Sequence, residues 1–353
     1  MTTAYKQQAF NWIDQNRQSL SDWHQVIWHL AEPAWREYKS SAWYVTKLRD
    51  EGFEVEEGSG GMPTAFMATW YNGEGPNIGA YAEYDAVPGN CQAAAIRKKP
   101  RRGLSRFAPG HTDPHSALGM GSLGGILAAK QIMQHCKVAK GWVARSRPGL
   151  ANHALADLTY RNLALAGAPK YNAQAVNLAR KIQQNLGLDP MEKPYLEACE
   201  KLISPQEAEN ELRGDMPAWQ KNWTSDDYVE MSWHAPTVRL YVARPMLKLP
   251  QGSAGYPDWV ANALGGLRDC IDPTIMTAAK TIAATIIDLL TDTNAMKKIR
   301  GEFIERTGGG IGGDKWIPPL LPQDFEAPIH YPWPEYVTTQ RGDDWVIPSC
   351  GDY

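Results

Sequence analysis

The sequence has no run of about 18 apolar residues, so it does not predict a membrane-spanning helix. The longest apolar-rich window, TAAKTIAATIIDLL, is shorter than that and contains Lys280 and Asp288. The first residues, MTTAYKQQAFNWIDQN, are polar and contain no apolar core of the kind found in signal peptides. We therefore expect a cytoplasmic protein that does not act on a membrane.

The sequence also has no excess of charge and no closely spaced cysteines. The net charge is −3 over 353 residues, which does not favour nucleic acid as a partner. The basic run RKKPRRG has no accompanying aromatic or amphipathic pattern, so it is more typical of a solvated loop than of an interaction patch. Five scattered cysteines without a CxxC motif argue against a disulfide scaffold and against a thiolate zinc site.

Periodicity predicts an α/β protein. Helices are predicted over 5–31, 40–52, 116–135 and 272–292, and further helices over much of 150–222. Strands are predicted at FEVEEG, TAFMATWY, NIGAYAEYD and TVRLYVARP. This order of elements indicates a single sandwich of a mixed sheet and helices.

Two short motifs carry the candidate chemistry. In AEYDAVPG, Glu83 and Asp85 follow a predicted strand, and their spacing of two places both on one side of an extended chain. In GHTDPHSALG, His111, Asp113 and His115 are again spaced by two, just before a glycine-rich helix. Either motif alone is also explained by hydrogen-bonded surface residues. Together, one after a strand and one before a helix, they favour a shared metal site.

These motifs and their surroundings resemble a metallopeptidase family of aminoacylases, dipeptidases and glutamate carboxypeptidases, peptidase family M-twenty. The nearest branch is similar to p-aminobenzoyl-glutamate hydrolase. AEYDAVPG resembles GEYDALPG of that branch, and GHTDPHSALGMGSLGGILAAK resembles its GHGCGHNLLGTASLGAA. The resemblance covers about residues 25–300. It implies a mixed, mainly parallel sheet with helices on both faces, formed by two halves, 1–146 and 147–307, and followed by an irregular Gly/Pro-rich tail over 308–353.

The resemblance also implies roles for these residues. Asp113 takes the position of a cysteine ligand in this branch, and His115 that of a histidine ligand. Glu83 takes the position of a histidine ligand in other members, and Asp85 that of the aspartate that orients it. Carboxylate in place of thiolate shifts the metal preference from Zn towards Mn, with one or two ions bound. The predicted ligands are Glu83, His111, Asp113, His115 and Asp272; the last is equally well explained as a helix N-cap.

The chain departs from the family in two respects. The catalytic glutamate of the family has no counterpart in GWVARSRPGLANH, so Glu230 and Asp227 are the candidates for the general base, and Asp85 completes the catalytic set. The inserted dimerisation domain of the family has no counterpart either, so we expect no compact second domain within 145–235. Trp35, Trp233 and His234 lie near matched motifs and are candidates for substrate binding.

The resulting prediction is a metal-dependent hydrolase of an amide, such as an N-acyl amino acid, a dipeptide or aminobenzoyl-glutamate. One alternative is an aminohydrolase that removes an amino group from an aromatic acid of the nitroanthranilate type. Another is a relative that has lost the lid and the catalytic base and has no hydrolase activity. A small-molecule substrate and a homo-oligomer are the expected partners.

Overall fold

The computed structural model describes residues 2–73, 75–132, 149–216, 227–250, 255–319, 336–339 and 342–345. The helices in these segments are α1 (Thr2–Gln15), α2 (Arg17–Leu30), α3 (Tyr38–Asp50), α4 (His115–Ile132), α5 (His153–Ala166), α6 (Ala173–Asn185), α7 (Pro205–Asp215), α8 (Trp259–Gly266), α9 (Arg268–Thr291) and α10 (Thr293–Thr307). Short 3-10 helices lie at Ser59–Gly61, Glu197–Glu200 and Asp227–Trp233.

The strands form two antiparallel pairs. Strand β1 (Glu54–Glu57) pairs with β2 (Phe66–Thr69), with Glu54 opposite Thr69. Strand β3 (Tyr336–Thr339) pairs with β4 (Gly342–Trp345), within the tail that the sequence predicts to be irregular. The predicted strands at β1 and β2 are therefore confirmed. The sequence does not predict the pair formed by β3 and β4.

Two other predicted strands, at 77–85 and 237–245, are not assigned as strands. Their carbonyl groups accept hydrogen bonds from side chains of neighbouring helices: Tyr81 from Ser122 of α4, and Ala243 from Thr274 of α9. No parallel pair of strands is formed within the described segments; a single parallel bridge joins Pro33 and Ala86. The sandwich built on a mainly parallel sheet therefore stays a prediction.

Several helix ends differ from the predicted positions. The predicted helix over 5–31 is two helices, α1 and α2, which are separated at Asn16. Helix α3 begins before Ser40, and the buried Glu32 carboxylate accepts the N–H groups of Lys39 and Ser40 in its first turn. Helix α9 begins four residues before Asp272, so this aspartate is not an N-cap.

The largest core packs α4 against α9, with α1, α2 and α3 around them. Glycines on α4 allow this close approach to α9. A Cβ at Gly121 would lie 2.9 Å from Ala278, and one at Gly125 would lie 2.7 Å from Ile282. Helix α4 begins at His115, so the packing of α4 against α9 holds the start of the candidate site in place.

Helix α9 is long and apolar enough to cross a membrane by length and composition alone, although the sequence has no uninterrupted apolar run of about 18 residues. Of its most apolar window, 61% is buried inside the molecule. Packing against α1, α4 and α5 accounts for this apolar character.

Candidate metal site

Backbone hydrogen bonds bring the two motifs side by side. Val87 and Gly110 exchange two N–H···O bonds of 3.0 Å, and the N–H of Ala86 donates to the carbonyl of Glu32 at 2.7 Å. A Cβ at Gly110 would overlap the Asn90 carbonyl, so only glycine fits this contact. The segment that carries Glu83 and Asp85 is therefore held against the loop that leads into α4.

His115 is the centre of the resulting cluster. Its Nδ1 lies 2.7 Å from Oδ1 of Asp85, and its Nε2 lies 3.0 Å from Oε2 of Glu83 and 3.4 Å from Oδ2 of Asp113. The hydroxyl of Tyr81 donates to the other oxygen of Glu83. One imidazole thus joins three carboxylates from two separate motifs, and Nε2 of His115 contacts both Glu83 and Asp113.

Electrostatics within the cluster favour a positive charge. Burial lowers the pKa of His115, but hydrogen bonds to Asp113 and Asp85 and the charge of Glu83 outweigh this and raise it to about 10. The hydrogen bond to His115, with Arg244 and Arg239 nearby, lowers the pKa of Asp113. The pKa of Asp85 is lowered as well, because its bond to His115 outweighs its partial burial.

The side chains in this cluster are of the types that bind divalent cations, namely carboxylates and an imidazole. Asp85 holds the Nδ1 proton of His115, which leaves Nε2 directed at the carboxylates of Glu83 and Asp113. Ligand atoms on a tetrahedral ion with bonds of about 2.1 Å stand about 3.4 Å apart, close to the separations observed here. Within the described segments, no group of three or more His, Cys, Asp or Glu side chains has an arrangement that could hold a metal ion as it stands. Glu83, Asp113 and His115 contact one another at 3.0–3.4 Å through Nε2 of His115.

His111 lies apart from these bonds. It is 2% exposed, and its Nε2 is 3.2 Å from the Ile27 carbonyl. Its Nδ1 is buried and has no hydrogen-bond partner among the described residues. Burial lowers the pKa of His111 to about 4. His111 is therefore hydrogen-bonded to the backbone of α2, and it acts on His115 and Asp85 only through its charge.

Asp272 is also not bonded to the cluster. It lies in the second turn of α9, near Ser21 and Arg268, and one of its oxygens is buried with no partner in the part of the chain that the structure describes. Burial is the main cause that raises the pKa of Asp272 to about 6.

The predicted catalytic and substrate-binding residues of the second half lie on or next to one 3-10 helix. Glu230 and Trp233 are buried there, and neither is bonded to His115. The Trp233 carbonyl accepts from Nε1 of Trp316, whose ring lies edge-on to that of His234. Asp227 begins the same helix, and the position of its side chain lies outside the described residues.

Trp35 precedes α3 and has an unusual backbone. Its φ is 70°, a left-handed conformation that is rare for a bulky residue, and 46% of the residue is exposed. The same loop contains Glu32 and Pro33, which contact the backbone of Ala86. Trp35 is thus on a loop that borders the segment carrying Asp85.

Three polar residues near the cluster, Tyr81, Arg244 and Glu37, do not belong to the predicted site. Tyr81 holds Glu83, Arg244 donates to the Thr112 carbonyl at 2.8 Å, and Glu37 is a buried carboxylate. Burial, with the nearby Asp85, raises the pKa of Glu37. Tyr81 and Glu83 are two residues apart, so both side chains lie on the same side of the extended chain. This spacing is the sequence signal that indicates Tyr81. No sequence pattern indicates Arg244, because it comes from a distant segment.

No family model matches this chain. Over 122 residues the chain is 29% identical to a protein of Escherichia coli (strain K12) that is named as one of the subunits of p-aminobenzoyl-glutamate hydrolase. The matched residues are 35% of this chain and 25% of that relative, so the chain covers about a quarter of the relative's length. At a coarse level, the chain is thus similar to an amidohydrolase, the class that its sequence motifs predict.

Proposed function

We propose that this chain is a metal-dependent hydrolase of amide bonds. The observation that carries the proposal is the convergence of Glu83, Asp113 and His115, with Asp85 behind the imidazole. The similarity to a protein named as a hydrolase of p-aminobenzoyl-glutamate supports the reaction class.

Glu83, Asp113 and His115 would hold one divalent ion, Mn or Zn, and a second ion would need further ligands. Such an ion activates water and polarises a carbonyl group when it is bound. The residues of the chain orient the ligands: Asp85 fixes the ring of His115, and Tyr81 fixes one oxygen of Glu83. Contacts of this kind behind the ligands determine which nitrogen of a histidine faces the metal.

A general base is also part of the proposal. Glu230 and Asp227 remain the candidates, although Glu230 makes no bond to His115, Glu83 or Asp113 in the described part of the chain. Loss of a general base costs about 10²–10⁴-fold in rate. If neither carboxylate acts as the base, the chain is the impaired relative considered above.

The substrate we propose is an amide of an aromatic acid or an N-acyl amino acid. Trp35 is an exposed aromatic side chain on the loop that borders Asp85, and strained backbone of this kind clusters at functional sites. His234 and Trp316, whose rings lie edge-on, form a second, half-buried aromatic pair next to the buried Trp233. Removal of an amino group from an aromatic acid would need the same ion and stays the alternative reaction. Because the relative is named a subunit, the proposal includes an oligomer. That this oligomer is a homo-oligomer and that it is cytoplasmic are expectations from the sequence.

Metal binding and turnover test this function together. The full chain, dialysed against chelator, should bind Mn²⁺ in calorimetry and should then hydrolyse aminobenzoyl-glutamate or an N-acyl amino acid. Deamination of substituted anthranilates would favour the aminohydrolase instead. Absence of Mn²⁺ and Zn²⁺ binding would refute the proposal, and binding without turnover would indicate the impaired relative.

The identity of the ion is tested by Asp113→Cys. A thiolate is a softer ligand than a carboxylate, so Zn²⁺ affinity should rise relative to Mn²⁺ affinity by at least about tenfold. Competition titrations of the two metals measure this ratio. An unchanged ratio would place Asp113 outside the coordination sphere.

A further inference from the structure

A loop rich in arginine and lysine lies between the two motifs of the candidate site. Residues 86–112 contain no aspartate or glutamate, and residues 97–106, here called the basic loop, contain six arginines and lysines. Five of the six are exposed: Arg97, Lys98, Lys99, Arg102 and Arg106. None of these five has an ion pair within the described residues. The whole chain has a net negative charge, so positive charge is locally concentrated in the basic loop.

Buried polar side chains hold the basic loop in one conformation. The buried Gln92 donates to the Arg97 carbonyl at 2.9 Å and accepts from the N–H of Lys99 at 3.1 Å. Arg101, the sixth cation of the loop, is also buried and donates to the His29 carbonyl near the end of α2 at 2.6 Å. A loop that is ordered before it binds loses less conformational entropy on binding. The basic loop is therefore suited to binding, although its composition is typical of a solvated loop.

Helix α7 presents the opposite charge. None of its described side chains is buried, and Glu207 and Glu211 are exposed one turn apart on the same face, here called the acidic face. Like charges at this spacing repel each other, and cations facing both would remove that repulsion. The first turn is formed by local bonds, since Glu207 accepts the N–H of Ser204 at 2.7 Å and donates its own N–H to Oγ of Ser204. The charge of Lys201 also reaches Glu207, but no ion pair to either glutamate is formed within the described residues.

We infer that the basic loop of one copy of this chain binds the acidic face of α7 in a second copy. No ion pair joins these two surfaces inside one chain, as far as the chain is described. Two copies related by a two-fold axis would form the contact twice, once in each direction. The inference names the surfaces that form the oligomer in the proposed function, and it uses none of the proposed chemistry.

The surroundings of the basic loop favour a second copy over nucleic acid. A nucleic acid strand would extend beyond the loop along a chain whose net charge is negative. The basic loop contains no aromatic residue, and Phe107 beside it is half-buried under the guanidinium of Arg106, so bases have no exposed ring there on which to stack. A helix with two carboxylates one turn apart needs no more surface than the loop provides.

Sedimentation velocity of the full chain at micromolar concentrations tests the contact. The chain should associate at about 50 mM salt, and the dissociation constant should rise at least about tenfold by about 500 mM, because salt screens exposed charges. A monomer at both salt concentrations would overturn the inference together with the proposed oligomer. An oligomer that does not respond to salt would overturn the inference alone.

Charge reversal at either surface should prevent association. The loop variant is Lys98→Glu/Arg102→Glu, and the helix variant is Glu207→Gln/Glu211→Lys, in which glutamine keeps the bond to the start of α7. Each variant should be monomeric at low salt, because like charges then face each other. Far-UV circular dichroism checks that both are folded. Wild-type association in either folded variant would refute the inference.

An equimolar mixture of the two variants should associate again. The reversed loop then faces the reversed helix, and the native loop faces the native helix. A mixture that stays monomeric would show that α7 is not the surface that the loop binds. The matched control is Lys297→Glu/Arg300→Glu, which makes the charge change of the loop variant at exposed positions of α10. It should associate as the wild type does, and a monomeric control would attribute association to net charge rather than to the basic loop.

Two further measurements separate this inference from its competitors. A single-stranded oligonucleotide that binds the wild type, but not the loop variant, and that dissociates the oligomer would identify the basic loop as a nucleic acid site and overturn the inference. Mn²⁺ binding and amide hydrolysis decide the proposed chemistry independently. If both are absent while the charge-reversed variants behave as expected, the contact between copies stands and the hydrolase proposal fails.

Discussion

At the scale of the residue, the imidazole of His115 is held by a carboxylate on each side. Asp85 accepts the proton of Nδ1 at 2.7 Å, so the lone pair of Nε2 becomes available once its own proton is displaced. The orientation of the His115 ring therefore depends on Asp85, which does not itself face the proposed ion.

Asp85→Asn should weaken Mn²⁺ binding by about 10–100-fold, the usual effect of losing a carboxylate that orients a metal ligand. An amide N–H facing Nδ1 would favour the tautomer whose proton lies on Nε2, where the metal would bind. Calorimetric titration with Mn²⁺ measures the loss. Asp157→Asn, an exposed site on α5, is the matched control and should bind as the wild type does. Equal affinity in the two variants would contradict the orienting role.

A second residue-scale prediction concerns the buried His24. Burial, with the charges of His111, Arg268 and His29, lowers the pKa of His24 from 6.5 to about 3. Between those values the unfolded chain binds a proton that the folded chain does not, so stability falls as pH falls below 6.5. Each such proton contributes about 1.4 kcal/mol per pH unit.

His24→Gln should therefore lose less stability than the wild type between pH 7 and pH 5, by about 2 kcal/mol. Urea unfolding at both pH values gives the difference, which does not depend on any general destabilisation by the substitution. His153→Gln, at an exposed position, should show the wild-type difference. The same pH dependence in His24→Gln and the wild type would refute the prediction.

The sequence predicts the central part of the candidate site because alternation places Glu83 with Asp85 and Asp113 with His115. It does not predict how His111 and Asp272 are placed. His111 has the same spacing as its neighbours, but its ring turns to the Ile27 carbonyl, a contact over 84 residues that no local pattern encodes. Arg244 comes near Asp113 through a bond over 132 residues and is equally invisible to periodicity.

At the scale of the element, helices were easier to predict than strands. The existence of α3, α4 and α9 follows from apolar spacing, and β1 and β2 follow from alternation. The segments 77–85 and 237–245 have the composition of strands but bond to side chains of α4 and α9 instead. Composition identifies an extended segment, but tertiary contacts decide whether that segment pairs with another strand in a sheet.

Glycines in two helices should respond oppositely to substitution by alanine. At Gly125 of α4 a Cβ would lie 2.7 Å from Ile282, so Gly125→Ala should destabilise the protein by about 1–3 kcal/mol through overpacking. At Gly301 of α10 a Cβ meets nothing within 4 Å, so Gly301→Ala should stabilise it by about 1 kcal/mol through helix propensity. Thermal or urea unfolding measures both. A stabilising Gly125→Ala would contradict the close packing of α4 on α9.

At the scale of the whole molecule, helices from distant parts of the sequence meet at a buried polar group. Nζ of Lys6 on α1 lies 2.7 Å from one oxygen of Asp288 on α9 and 2.8 Å from Oδ1 of Asn162 on α5. Asn162 in turn donates to Asp288 at 2.8 Å. These contacts link the predicted first half (1–146) to the predicted second half (147–307). Variants at this position therefore test whether the two halves unfold together.

Lys6→Met should destabilise the folded chain by about 3 kcal/mol, because it leaves the buried Asp288 carboxylate without its cation. The double variant Lys6→Met/Asp288→Leu should be less destabilised than Lys6→Met alone, since removing both charges also removes their desolvation cost.

Urea unfolding followed by tryptophan fluorescence and by far-UV circular dichroism measures both variants, and the two signals should change together if the halves form one cooperative unit. The matched control is Lys297→Met on α10, which has no comparable ion pair in the described residues and should change stability by less than about 0.5 kcal/mol. A double variant that is less stable than Lys6→Met would show that Asp288 contributes mainly through Asn162, and a biphasic transition would show that the halves unfold separately.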